Sequence, residues 1–212
     1  MNRFIKRFYD IVHLFIFEIK AFIKSLYSLI KAKCFPKKYL GANLEIGCGT
    51  SVKKGFIGVD VHWQVDYPFD LKIGLPFNDN SIGFIYTEHT LEHLFFDEFQ
   101  HILQECHRVL QKGGKLSIAV PRVDKLLKSY ILDDAKFHSS ISFSYPPSLK
   151  ARLDIINYML YMDKQHKNSF DEENLLSALK CAGFVEIKLR NFDPKLDLEV
   201  RKHDSLYCVC KK

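Results

Sequence analysis

The chain has 212 residues, 47% of them hydrophobic, which is enough for one well-buried α/β domain and short for two. Its formal net charge of +6 is concentrated at one end. Residues 1–33 hold seven basic side chains (Arg3, Lys6, Arg7, Lys20, Lys24, Lys31, Lys33) and two acids (Asp10, Glu18), so 7 − 2 = +5 falls there and +1 on the rest, a nearly neutral body that excludes a broad nucleic-acid footprint.

The first predicted element is a long amphipathic helix. On a wheel of roughly 100° per residue, Phe4, Phe8, Ile11, Phe15, Ile19, Phe22, Leu26 and Leu29 form one stripe, and Ile5, Val12, Ile16, Ile23 and Ile30 widen it. Lys6, Asp10, His13, Lys20, Lys24, Ser28 and Lys31 occupy the opposite side. Asp10, Glu18 and Lys20 interrupt every window of the roughly 20 apolar residues that a bilayer span requires, and the same charges argue against a signal peptide. The segment is expected to be an extension, residues 1–38, ahead of a catalytic-sized domain at 39–212. Its apolar half must cover something. Two readings stand: contact with its own domain or a dimer partner, or peripheral association with an anionic membrane, which would lie at the inner face.

From Asn43 onward, short apolar runs alternate with helical patterns, the signature of an α/β fold with a mostly parallel sheet wrapped by helices. The predicted strands are 43–46, 56–61, 82–86, 116–120, 184–189 and 205–209. Asp97 to Gln111 reads as a helix with Phe99, Ile102, Leu103, Cys106, Val109 and Leu110 at helical spacing and Gly113-Gly114 as its stop. Asp171 to Cys181 reads likewise. Residues 122–168, with Tyr145-Pro146-Pro147 among them, read as helix, loop and helix lying over the site. Six cysteines without a paired C-x-x-C spacing indicate neither a zinc ribbon nor a disulfide framework, and a reducing cytoplasm is the expected compartment.

The stretch Asn43-Leu44-Glu45-Ile46-Gly47-Cys48-Gly49-Thr50 is a strand running into glycines, where missing side chains let backbone amides approach a ligand. Asp60 ends the next strand, where a carboxylate can accept two hydrogen bonds from a ribose diol. A dinucleotide fold also wants glycines after a strand, but here Lys53-Lys54-Gly55 stands where its third glycine should admit a helix.

Together with Gly58-Val59-Asp60-Val61, Asp70-Leu71, Leu75-Pro76-Phe77, Glu88-His89-Thr90-Leu91-Glu92-His93-Leu94 and Glu105-Cys106-His107-Arg108-Val109-Leu110, this stretch resembles the class I S-adenosylmethionine-dependent methyltransferases. Within them it is similar to the small bacterial type 11-like group of surface-polysaccharide gene clusters. The resemblance, from about Tyr39 onward, implies a Rossmann-like sheet and S-adenosylmethionine as cofactor, with S-adenosylhomocysteine as product. It implies Glu45, Gly47 and Gly49 at the methionine end, Asp60 at the ribose and Asp70 with Leu71 at the adenine, with Cys48, Val61 and Glu88 completing the cofactor set. One departure is visible: the loop from Gly49 to Phe56 is too short for the family's first helix.

His89, Glu92 and His93, at i, i+3 and i+4, are expected to share one face of a helix opening after the strand 82–86. They are the predicted catalytic residues, with His89 a substrate-facing base whose titration near pH 6 to 7 should govern the rate. No resident metal is expected. The alternatives are a divalent metal held by His89, Glu92, His93 and His166, since the spacing is that of a ligand motif, and purely structural histidines. Trp63 has two readings, a stack on the adenine or plain packing. The expected reaction is O-methylation of a sugar or glycan precursor in polysaccharide biosynthesis. The alternatives are methylation of a small metabolite or a protein, or a non-catalytic cofactor-binding partner protein.

Overall fold

The structure, a computed structural model, describes residues 3–132 and 145–212. Seven strands form one sheet: β1 (Asn43–Ile46), β2 (Ile57–Asp60), β3 (Tyr67–Pro68), β4 (Ile82–Glu88), β5 (Leu110–Pro121), β6 (Val185–Leu189) and β7 (Ser205–Lys211), in the order β3-β2-β1-β4-β5-β7-β6. Only β7 is reversed, antiparallel to both β5 and β6. The six strands expected from the apolar runs are present, and β3, two residues long, is too short to carry a pattern.

The helices are α1 (Arg3–Cys34), α2 (Phe96–Val109), α3 (Asp124–Ile131), α4 (Arg152–Tyr161) and α5 (Glu172–Cys181). The inner side of α2 buries Phe99, Ile102, Leu103, Cys106 and Val109 in the same core as the sheet residues Leu44, Ile46, Val59, Ile85, Leu116 and Ile118. Each fully buried side chain of this kind contributes about 1.5–3 kcal/mol. Asp171 caps α5, its Oδ1 accepting from the Asn174 amide at 2.9 Å. Val123, Leu126, Ile155, Ile156 and Met159 form a separate small core where α3 meets α4. The predicted loop between these two helices falls largely on 133–144, outside the described residues.

Two local expectations are corrected. The Gly113-Gly114 pair does not stop α2, which passes straight into β5 at Leu110. Gly113, with φ of 77°, lies in a bulge where the pairing jumps from Ile82–Leu110 to Phe84–Lys115. Between β1 and β2 the described backbone holds turns and no helix, so the parallel crossover is made by residues 47–56 alone.

α1 runs unbroken for 32 residues, because neither Gly nor Pro occurs before Pro36. It meets the body through Ala21, Ser25, Ser28 and Ala32, all buried and spaced 4-3-4 along one stripe. The Ser28 hydroxyl donates to the Pro68 carbonyl at 2.9 Å, and Ser25 Oγ accepts from the Asp70 amide at 3.0 Å. Lys24 and Lys31 reach across to the Val61 and Asp66 carbonyls, each at 2.6 Å. The own-domain reading of the apolar stripe is therefore corrected: the body takes the small and polar side of α1, and the stripe from Phe8 to Leu29 is exposed.

Candidate functional site

The register aligns Ile46 of β1 with Val59 of β2 and Thr87 of β4, so Gly47, Asp60 and Glu88 emerge together at the carboxyl edge of the parallel strands. A cavity of about 650 Å³ opens there. Gly47 and Gly49 adopt φ of 69° and 64°, the left-handed region that favours glycine. A side chain at Gly47 would lie 2.1 Å from Thr90, whereas one at Gly49 would meet no protein atom within 4 Å. The first glycine is thus required by packing, and the second faces open cavity.

Around this turn the acids are fixed by the backbone. Asp60 Oδ2 accepts from the Gly49 amide at 2.9 Å, and its Oδ1 contacts His62 Nδ1 at 2.6 Å. Glu45 accepts from the Lys53 amide at 2.6 Å and from Lys53 Nζ at 3.1 Å. Glu88 Oε1 accepts from the Leu198 amide at 3.0 Å, and its buried Oε2 lies 3.5 Å from Lys53 Nζ without a hydrogen bond. Asp70 caps a short 3-10 turn by accepting from the Lys72 amide.

The other end of the same cavity carries His89, Thr90, His93, Leu94, Leu198 and Arg201. His89 leaves β4 with φ of 50°, and its Nε2 sits 2.7 Å from Ser205 Oγ at the start of β7. The helical face expected for His89, Glu92 and His93 is corrected: only Leu91–His93 form a 3-10 turn, and His89 stands outside it. The three still meet, with Glu92 Oε1 3.7 Å from His89 Nδ1 and 3.9 Å from His93 Nε2. Glu92 is buried behind the cavity and does not line it. Every residue of the predicted cofactor set lines the cavity, as do His89 and His93. Trp63 does not; it stays 54% exposed against Tyr27 of α1, with Lys24 over its ring.

A family model described as a methyltransferase domain matches residues 62–118, roughly a quarter of the chain. No curated protein matches by sequence. Among solved structures, an S-adenosylmethionine-dependent methyltransferase of Thermotoga maritima superposes with a TM-score of 0.50 at 20% identity, covering 99% of this chain and 97% of the other. Phosphoethanolamine N-methyltransferase 2 of Haemonchus contortus, solved with S-adenosyl-L-methionine, superposes with a TM-score of 0.50 at 14% identity over 88% of this chain. This chain spans about half of that enzyme, 52%. The fold is that of the class I methyltransferases.

Within this methyltransferase fold, burial sets the protonation of the inner groups. Burial pushes His89 down to about 3, helped by the positive field of Arg201 and by His166 and His93. Burial also raises the Glu92 carboxyl to about 8, and its Oε2 has no hydrogen-bond partner among the described residues. At neutral pH His89 is therefore a neutral imidazole beside a protonated Glu92. The expected titration of His89 near pH 6 to 7 is corrected accordingly. Burial pushes Cys48 up to about 12, so it lines the cavity as a thiol.

Glu92, His93 and His166 bring one ligand atom each within 4.8 Å of one another. His166 Nδ1 lies 2.8 Å from the Met159 carbonyl and His93 Nδ1 3.1 Å from the Gln165 carbonyl. A carbonyl only accepts, so both rings carry Nδ1–H, and Nε2 is the nitrogen left to meet a ligand. His89 is not part of this group.

Sequence reasoning missed Lys53, Thr90, Leu94, Leu198, Arg201 and Ser205. Thr90 and Leu94 lie within the 88–94 motif without a role assigned by it, and no motif marks Leu198, Arg201 or Ser205. Lys53 was read only as a departure from a dinucleotide loop, and Arg201 reaches the site through a hydrogen bond from Nη1 to the Glu88 carbonyl at 3.3 Å.

Proposed function

We propose that this protein transfers a methyl group from S-adenosylmethionine to a hydroxyl of a sugar or glycan precursor. One observation carries the reading: a single cavity joins the glycine turn, Asp60 and Asp70 to a neutral imidazole, His89. Gly47, Gly49 and Asp60 would hold the cofactor's central part, Asp70 and Leu71 its adenine, and Glu45, Glu88 and Lys53 the ammonium and carboxylate of its methionine end. The open face of Gly49 and the unbonded Glu88 Oε2 fit such a ligand. The bound cofactor supplies an electrophilic methyl on a sulfonium.

The chain's own task is to align the acceptor oxygen and receive its proton. Alignment supplies most of such a rate enhancement and proton removal a smaller factor. His89 lines the acceptor end and remains unprotonated across the physiological range, so it is available as the proton acceptor. Glu92 touches the ring from behind and acts as a positioning residue. The sugar acceptor rests on the resemblance to polysaccharide-cluster methyltransferases and on a cavity end carrying His89, His93 and Arg201, suited to a polar acceptor.

The test is turnover with nucleotide-linked and lipid-linked sugars, followed as S-adenosylhomocysteine release and as a mass gain of one methyl on the acceptor. Release with a small amine or a protein, and none with any sugar, would move the assignment to another acceptor. Failure of calorimetry to detect S-adenosylmethionine binding would overturn the methyltransferase reading.

A second reading is favoured by the grouping of Glu92, His93 and His166, which would hold a divalent cation through two imidazole nitrogens and one carboxylate. Titration of the protein with zinc or manganese alone decides it. Stoichiometric binding lost in His166→Ala supports the metal, and transfer that persists in excess EDTA without metal uptake removes it.

A further inference from the structure

The apolar stripe of α1 has no partner on the body. Phe8, Phe15 and Phe22 are 64%, 66% and 67% exposed, and Ile11, Ile19, Leu26 and Ile30 are exposed with them. On a wheel of roughly 100° per residue, the centre of this face lies about 120° from the stripe of Ala21, Ser25, Ser28 and Ala32 that holds the body. The body therefore sits on one side of the helix and the apolar face points away on the other. Residues 5–17 are solvent-exposed all round, so the first half of α1 extends past the body as an arm.

We propose that this outward face lies in the interface of an anionic membrane and carries the protein on the membrane surface. Four features select a lipid surface over a second copy of the chain. The apolar arc spans about 140°, broader than the narrow seam of a two-helix coiled coil. Its central residues fall at spacings 4-3-4-4-3-4-3, which no constant heptad register fits, and half of them are Phe where a seam favours Leu, Ile and Val. Arg3, Lys6, Arg7, Lys20 and Lys33 are exposed cations on the same helix, against the acids Asp10 and Glu18. Trp63 continues the exposed apolar surface beside Tyr27, an aromatic suited to the water–lipid boundary.

No helix among the described residues is long and apolar enough to cross a membrane, so α1 lies in the plane of the surface. The stripe that holds the body places the cavity beside α1, one helix diameter of ~10 Å from that surface, because Lys24 bonds Val61 and Ser25 bonds Asp70, and both Val61 and Asp70 line the cavity. The proposal does not depend on methyl transfer.

The test is co-sedimentation of the full chain with phosphatidylcholine vesicles and with vesicles containing phosphatidylglycerol. Binding is expected to the anionic vesicles, to fall with added salt, and to drop about a hundredfold in Lys6→Glu/Arg7→Glu/Lys20→Glu, from roughly a factor of five per reversed cation. Phe15→Asp/Phe22→Asp should abolish it while leaving the thermal midpoint unchanged, because both rings lie about two-thirds exposed. A wild-type protein that stays in the supernatant with anionic vesicles overturns the proposal. Sedimentation equilibrium showing a dimer that the Phe→Asp pair dissociates, again without vesicle binding, assigns the face to a second copy instead.

Discussion

The Gly49 amide donates to Asp60 Oδ2 at 2.9 Å, tying the turn after one strand to the end of the next. The bond holds Asp60 over the cavity and leaves its other oxygen toward His62. Asp60→Ala removes both the carboxylate and the tie. S-adenosylmethionine binding should weaken by about 1.5–3 kcal/mol, or roughly 10- to 150-fold in Kd by calorimetry. An unchanged Kd would place the ribose elsewhere.

The two glycines of the turn should respond differently to alanine. Gly49→Ala meets only the left-handed backbone cost, about 1–2 kcal/mol, because no atom lies within 4 Å of the added carbon. Gly47→Ala adds a collision with Thr90 at 2.1 Å and should be clearly the more destabilising in urea unfolding. Gly47→Ala paired with Thr90→Ala should recover part of the difference.

The pH dependence of stability should carry the Glu92 signature. Its folded value of about 8 stands above the ordinary 4.5, so the folded state keeps a proton that the unfolded chain has released. Stability contributed by this group falls as pH rises from about 4.5 to 8. His89 works in the opposite direction, since a value near 3 against 6.5 makes stability rise with pH between those limits. Above pH 6.5 only Glu92 remains of the two, and a decline in the urea midpoint from pH 6.5 to 8 is expected. Glu92→Gln should remove that decline; a decline of the same size in the variant would refute the assignment.

Transfer activity should show no ionisation of His89 between pH 5 and 7, because the ring is already neutral throughout. His89→Ala should lower kcat by at most about 10²-fold, the low end of the scale for a positioned proton acceptor, because a ring held near 3 is a weak base, with little change in cofactor affinity. A kcat that rises tenfold per pH unit below 7 in the wild type, absent in Glu92→Gln, would instead make Glu92 the titrating group.

The seat of α1 should be sensitive to one hydroxyl. Ser25→Ala leaves the buried Asp70 amide without its acceptor and should cost about 1–3 kcal/mol in the unfolding free energy. Ser25→Thr, which retains the oxygen, should cost less.

Much of the fold was legible because its signals are local. Leu44 and Ile46, Ile57 and Val59, and the run Ile82 to Tyr86 announce parallel strands by apolar content, and Gly47, Gly49 and Asp60 need only their spacing to meet at one edge. The acceptor end was not legible. Ser205 reaches His89 across 116 residues and Leu198 reaches Glu88 across 110. The spacing of His89, Glu92 and His93 suggested a helix that the positive φ of His89 prevents, and their meeting is decided by packing. α1 draws the line most clearly. Its sequence determined a helix and which side is apolar, through the 3.6-residue period. Which side holds the body was decided only in the tertiary structure, where Ala21, Ser25, Ser28 and Ala32 let two backbones approach and hydroxyls bond to main-chain groups, a close fit that no count of apolar side chains records.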